Sequence, residues 1–240
     1  MIAIRGLRKS FGGRAVLDWV DADLAAGSVH ALVGPNGSGK STLLRVLWGA
    51  LWPDGGTVEL DGRAHDTASP EWKRLVGAVP DDDALIEGLS IPDHFTLCGR
   101  LIGLGEPEIA SRTAELVRLF DLEEAVRGTR SADEASRGNR KRVACALALL
   151  GAPSMLFMDE PYAGLDAERA DMLTALMREL ASRGLLVLFS CHDGGLVRAA
   201  ADGYILLEEG KSRSGPASEL PGRGPWGMGG LGDSVPWVRC

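Results

Sequence analysis

Residues Gly34-Pro35-Asn36-Gly37-Ser38-Gly39-Lys40-Ser41 satisfy the pattern GxxxxGK[ST] at every fixed position. No other stretch constrains the chain as strongly, because the pattern demands a particular setting. A short apolar, β-branched run, Val29 to Val33, precedes it. A segment with helical spacing, Lys40 to Trp48, follows, with Leu43, Leu44 and Leu47 on one face and Pro53 just beyond its end. Strand, glycine-rich loop and helix in that order form a phosphate cradle. The glycines let successive backbone N–H groups converge on phosphate oxygens, and the helix that follows adds the positive end of its dipole. Lys40 would then reach the β- and γ-phosphates, and the Ser41 hydroxyl would ligate Mg²⁺.

A second segment has the character of a site. Ser154 to Glu160 reads as an apolar strand, Met155 to Met158, ending in two carboxylates, Asp159 and Glu160. In parallel α/β sheets ligands gather at the carboxyl ends of strands. Asp159 would hold Mg²⁺, and Glu160 is placed to polarise an attacking water. By itself the Asp-Glu pair is equally a solvated strand end; the phosphate loop upstream favours the functional reading.

The rest of the chain reads as alternating strands and helices. Met1–Leu7, Thr57–Leu60, Leu75–Val79 and Leu185–Phe189 are strand candidates, and Asn139–Leu150 and Ala167–Arg183 are helices. This alternation implies an α/β fold with a mostly parallel sheet flanked by helices. The stripe Leu173, Leu176, Met177 and Leu180 is core packing and carries no chemistry. Residues from about 83 to 138 are helical in pattern without a convincing strand, and predict a helical subdomain inserted into the core. From about 216 to 240 the chain is Gly- and Pro-rich and is expected to form a flexible tail, in which Trp226 and Trp237 are unexpected.

Composition limits the function classes. The formal net charge is −7 and the sequence pI about 5.2, a poor match for a nucleic-acid partner. The basic run Arg137, Arg140, Lys141 and Arg142 is not read as a nucleic-acid patch; it is compatible with a phosphate-binding helix start and equally with a solvated one. The longest apolar run, Val143 to Leu150, has eight residues, against about 20 for a bilayer span. No secretory signal opens the sequence. The expectation is a protein that is not itself a channel. Cys98, Cys145, Cys191 and Cys240 are far apart and read as reduced cytosolic thiols.

Taken together, these motifs resemble the ATPase domains of ABC transporters over about residues 1 to 215. Gly34 to Thr42 reads GPNGSGKST, a form typical of that family. Met155 to Glu160 looks like its Walker B strand, Glu160 to Asp166 like its EP-x-x-GLD run, and Ser190 to Asp193 like its switch-histidine segment. The resemblance implies a P-loop NTPase fold with an N-terminal antiparallel β subdomain beside the parallel core. It implies that Gly34, Pro35, Asn36, Gly37, Ser38, Gly39, Lys40, Ser41 and Thr42 hold ATP and Mg²⁺, with Lys40, Glu160 and His192 catalytic. It implies that Phe11 stacks on adenine, the alternative being a core phenylalanine.

The family's LSGGQ signature has a less regular counterpart, Ala135-Ser136-Arg137-Gly138-Asn139. Ser136 and Gly138 are kept and would bind the γ-phosphate held by another subunit. Arg137 departs from Gly. Where the family commonly has Gln after Pro80, this chain has Asp81, either a further Mg²⁺ ligand or a residue turned to solvent. The implied partners are an integral membrane permease and a second ATPase subunit, in a homodimer or a heterodimer, at the cytoplasmic face of the cell membrane. The loop from Asp81 to Glu87 and the helical subdomain would be the docking face. Leu89 to Leu101 looks more like small exporter ATPases than importers. Competing expectations are a soluble ABC ATPase without a permease and a low-turnover regulatory subunit.

Overall fold

The structure is a computed structural model of the chain and describes residues 1–82, 85–128 and 131–221. The chain opens with β1 (Ile2–Phe11) and β2 (Arg14–Leu24), an antiparallel hairpin, and then β3 (Val29–Val33). Helix α1 (Lys40–Leu47) follows the glycine-rich loop. Strands β4 (Gly55–Leu60) and β5 (Arg63–His65) complete a four-stranded antiparallel sheet of order β2-β1-β4-β5. Next come α2 (Pro70–Leu75) and β6 (Val76–Val79), then the helices α3 (Ile91–Leu101), α4 (Glu106–Leu119), α5 (Glu123–Gly128) and α6 (Arg137–Leu149). The chain returns through β7 (Met155–Met158), α7 (Ala167–Ser182), β8 (Leu186–Ser190), α8 (Gly194–Ala200), β9 (Gly203–Glu208) and β10 (Lys211–Pro216). A 3₁₀ turn, Ala217–Glu219, then packs Ala217 and Leu220 into the interior, so the buried chain runs past residue 216. Most of the expected tail, 222–240, lies outside the described residues.

Among the described residues the second sheet has six strands in the order β10-β9-β3-β8-β7-β6. Every pairing from β9 to β6 is parallel; only β10 runs antiparallel, on β9. Its inner strands are buried on both faces, which is why Met155–Met158 and Leu186–Phe189 read as unbroken apolar runs. Side chains alternate across the sheet. Ala31, Val33, Leu156, Met158, Val187 and Phe189 face one core with α6, α7 and the helices before them. Leu32, Met155, Phe157, Leu186 and Leu188 face the other, shared with α1 and the antiparallel sheet. Leu43, Leu44 and Leu47 of α1 are fully buried there, each stabilising by about 1.5–3 kcal/mol. The phosphate loop is thereby clamped between two rigid sheets.

Helix ends follow local chemistry. Ser69, Ser90, Ser136 and Asp166 cap α2, α3, α6 and α7, each side chain accepting an N–H from the first turn. Helix α6 therefore starts at Arg137, earlier than the expected Asn139. The sequence reading did not name β2, α2, β5, α8, β9 and β10; for β2 and α2 the physical reason is plain. In β2 a positive φ at Trp19 (82°) and register shifts opposite Leu7 break the period-2 pattern. Helix α2 is only six residues long.

Candidate functional site

Strands β3, β8, β7 and β6 lie side by side and parallel, so their carboxyl ends form a row. The phosphate loop leaves β3, Cys191 and His192 follow β8, Asp159 and Glu160 follow β7, and Pro80 and Asp81 follow β6. Backbone bonds lock the row: Cys191 N–H donates to Leu32 O at 3.0 Å and Asp159 N–H to Val79 O at 2.9 Å. Residues 34–42, 81, 159, 160 and 192, chosen from sequence, thus converge on one edge of one sheet.

The loop is shaped to receive an anion. Gly34, Gly37 and Gly39 have φ of 153°, 79° and 103°, values that L side chains rarely adopt. A Cβ on Gly34 would meet Leu207 O at 2.4 Å and Ser38 Oγ at 2.6 Å. Ser38 Oγ is buried and has no hydrogen-bond partner. Lys40 is 7% exposed, with its Nζ 2.9 Å from Gly34 O and 3.3 Å from Pro35 O. Among the described residues, an orphaned buried hydroxyl and a buried ammonium held only by carbonyls fit a polyphosphate. Ser41 and Thr42 lie in the first turn of α1, which contains no acidic residue.

The carboxylates differ in setting. Asp159 is 4% exposed, and its Oδ1 accepts the Ser190 hydroxyl at 2.7 Å. Among the described residues it has no cationic partner, which fits a carboxylate that binds a metal ion. Glu160 has φ 45°, and its N–H donates to Ser190 Oγ at 2.6 Å. Its Oε2 lies 3.2 Å from His192 Nδ1, with the His192 side chain largely exposed. The neighbouring Cys191 thiol is pushed up to about 12 by burial, opposed in part by hydrogen bonds from the backbone; it is an inert core group.

The remaining sequence-chosen residues lie on other elements, Phe11 on the antiparallel sheet and Ser136 and Gly138 at the start of α6. Phe11 ends β1 and is 49% exposed, with Lys9 Nζ 5.6 Å from its ring centre, so it is not a core phenylalanine. Ser136 Oγ accepts Asn139 N–H at 3.2 Å. Arg137 is helical, so replacing the expected glycine requires no unusual backbone. Its guanidinium lies over Gly164, where a Cβ would be 3.3 Å from Nη1, and Gly138 faces Arg169 in the same way at 3.4 Å. Lys141 Nζ donates to Pro80 O at 3.1 Å and Asp81 O at 3.3 Å. The Asp81 side chain is exposed. The sequence reading named Lys141 only within a basic run and Ser190 only as the start of the switch-histidine segment, and gave neither a role of its own.

Fold and site define the class: an α/β phosphate-loop domain with its ligand edge at the carboxyl ends of a parallel sheet. A family model described as "ABC transporter" matches residues 17–163. The chain belongs to the ABC transporter ATP-binding family. It is 38% identical over 222 residues to the Fe(3+) ions import ATP-binding protein FbpC of Streptomyces coelicolor, covering 92% of this chain and 63% of the relative. It is 34% identical over 192 residues to the Nod factor export ATP-binding protein I of Cupriavidus metallidurans, covering 80% of this chain and 63% of the relative. The chain thus spans less than two thirds of the length of these relatives. A solved ATP binding subunit of an ABC transporter superposes with a TM-score of 0.79 at 28% identity, covering 90% of each chain. A dimeric, post-hydrolysis ATP-binding cassette, MJ0796 bound to ADP and Pi, superposes at 0.80 with 25% identity, covering 90% of this chain and 99% of that one.

Proposed function

We propose that this chain binds and hydrolyses ATP with Mg²⁺, and that ATP-driven closure of two such domains powers a separate membrane permease. The observation that carries the reading is the row of four parallel strand ends that gathers the phosphate loop, Asp159, Glu160 and His192. In this reading the loop from Gly34 to Thr42, through its backbone N–H groups other than at Pro35, and the Lys40 ammonium bind the phosphates. Phe11 stacks on the adenine. The Ser41 hydroxyl and the Asp159 carboxylate would hold the metal ion; Asp81, whose side chain is exposed in the next loop, is either a further ligand or turned to solvent. Mg²⁺, when bound, neutralises charge between the β- and γ-phosphates. Glu160 takes a proton from water as its oxygen attacks the γ-phosphorus and the bond to the β–γ bridging oxygen breaks. His192 holds the Glu160 carboxylate in place and contacts the γ-phosphate. Ser136 and Gly138 complete the site from a second copy or a similar subunit, as the dimeric relative suggests.

The permease half of the reading is supported by a groove of about 550 Å³ between β6 and the helices α3, α4 and α6. Pro80, Cys98, Leu101, Ile102 and Leu147 line it, and Leu101 is 76% exposed. Among the described residues no helix is long and apolar enough to cross a membrane. The relatives include proteins named for import and for export, and we assign direction to the permease. A second reading, a low-turnover regulatory subunit, draws on Asp81 standing in a loop held by Lys141.

The deciding variant is Glu160→Gln. ATP turnover should fall by about 100- to 10,000-fold, while ATP affinity stays within a few-fold of the parent and ATP-bound dimers accumulate in light scattering. A parent that shows no turnover, alone or with its membrane partner, removes the enzymatic reading.

A further inference from the structure

We propose that Ser190 is a positioning residue for hydrolysis, setting both carboxylates of the site through one hydroxyl. This rests on the ATPase reading above and goes beyond the residues that reading uses. Ser190 is fully buried at the end of β8. Its Oγ donates to Asp159 Oδ1 at 2.7 Å and accepts the Glu160 N–H at 2.6 Å. A hydroxyl has one proton and two lone pairs, so it makes both bonds at once. The proton goes to the carboxylate, and the amide is taken on a lone pair. No hydrophobic side chain can do either, although every other residue of β8 is apolar.

The consequence is local and directional. Strands β7 and β8 pair in parallel up to Met158 opposite Phe189. Beyond that point Glu160 leaves the extended conformation for φ 45°, a left-handed backbone that residues with a Cβ disfavour. The ladder cannot satisfy an N–H turned in this way; the Ser190 hydroxyl does. Two residues later His192 Nδ1 meets Glu160 Oε2 at 3.2 Å. The end of β8 therefore grips Glu160 by backbone and by side chain, and fixes the Asp159 carboxylate with the same atom. The angle between the metal-binding and proton-accepting groups depends on Ser190.

Ser190→Thr and Ser190→Val provide the test, because they share a shape and differ only in the hydroxyl; Ser190→Ala removes the hydroxyl without adding bulk. Parent and Ser190→Thr should have similar kcat. Ser190→Val and Ser190→Ala should lose about tenfold to a hundredfold in kcat with KM for ATP little changed. Amide exchange at Glu160 in the nucleotide-free protein gives a readout independent of turnover. It should be slow in parent and Ser190→Thr and clearly faster in Ser190→Val and Ser190→Ala. Equal kcat and equal Glu160 exchange in the Thr and Val variants would overturn the proposal, since shape alone would then explain the site. A parent without turnover would remove the ATPase reading, while the exchange comparison would still decide whether the hydroxyl sets Glu160.

Discussion

Gly34 and Gly37 belong to the same loop, yet alanine should affect them very differently. Both have φ values outside the range L residues favour, 153° and 79°. At Gly37 an added Cβ meets nothing within 4 Å, so Gly37→Ala carries only the left-handed penalty, about 1–2 kcal/mol, offset in part by a stiffer unfolded chain. At Gly34 the Cβ would sit 2.4 Å from Leu207 O, a backbone atom of β9 that cannot rotate away. The φ of 153° also lies in a region that is essentially glycine-only, costing about 1–3 kcal/mol. Overpacking adds about 1–3 kcal/mol. Gly34→Ala should therefore lose about 2–6 kcal/mol, several times the loss at Gly37. For a chain of this size that is a fall in Tm of roughly 5–20 °C against a few degrees for Gly37→Ala. Calorimetry without nucleotide, where no ligand shifts the transition, gives both values. Equal losses, or a Gly34→Ala variant as stable as the parent, would refute the crowding argument.

Trp72 is fully buried and its Nε1–H donates to Leu47 O at 2.7 Å. Trp72→Phe leaves that carbonyl unpaired beside a small cavity, and should cost about 2–4 kcal/mol, read as a lower urea midpoint at unchanged slope. Burial pushes His30 below the ordinary value of 6.5, against a smaller upward pull from Asp202. Protonation then favours the unfolded chain, so this stability is present above about pH 6.5 and lost as pH falls through the lower folded value. Tm measured from about pH 7 to 5 should fall more steeply in the parent than in His30→Gln; identical slopes would refute it. Ser136→Ala removes the cap of α6 and should cost about 1 kcal/mol while leaving ATP affinity of the monomer unchanged and weakening ATP-driven dimerisation in light scattering.

The contiguous parts of the site were legible in sequence because their chemistry lies within a few consecutive residues. The cradle from Gly34 to Thr42 and the strand Met155–Met158 with its two carboxylates are cases where local order and spatial order coincide. Strand β2 was not legible: Leu17, Val20, Ala22 and Leu24 all point inward, but the bulge at Trp19 shifts the alternation between the first two. Helix α2 was hidden by its length, although Ser69 and Pro70 mark its start. The role of Ser190 was not legible because its partners are 30 and 31 positions away, and only sheet order brings β7 beside β8. The same holds for Lys141, whose contacts with the Pro80 loop span 61 and 60 positions. The family resemblance supplied Ser136 and Phe11, which pattern alone would have left as a polar helix start and an aromatic of unknown side.

If this chain turns ATP hydrolysis into work on a membrane protein, as proposed, the two must travel together. The most direct measurement tags the chain in the cell that makes it, solubilises the membranes in mild detergent, and identifies what co-purifies in stoichiometric amount, with ATP turnover assayed on the same sample. A multi-span membrane protein should co-purify, with turnover abolished by Glu160→Gln. Recovery with soluble proteins only, and absence of the chain from the membrane fraction, would contradict the proposal.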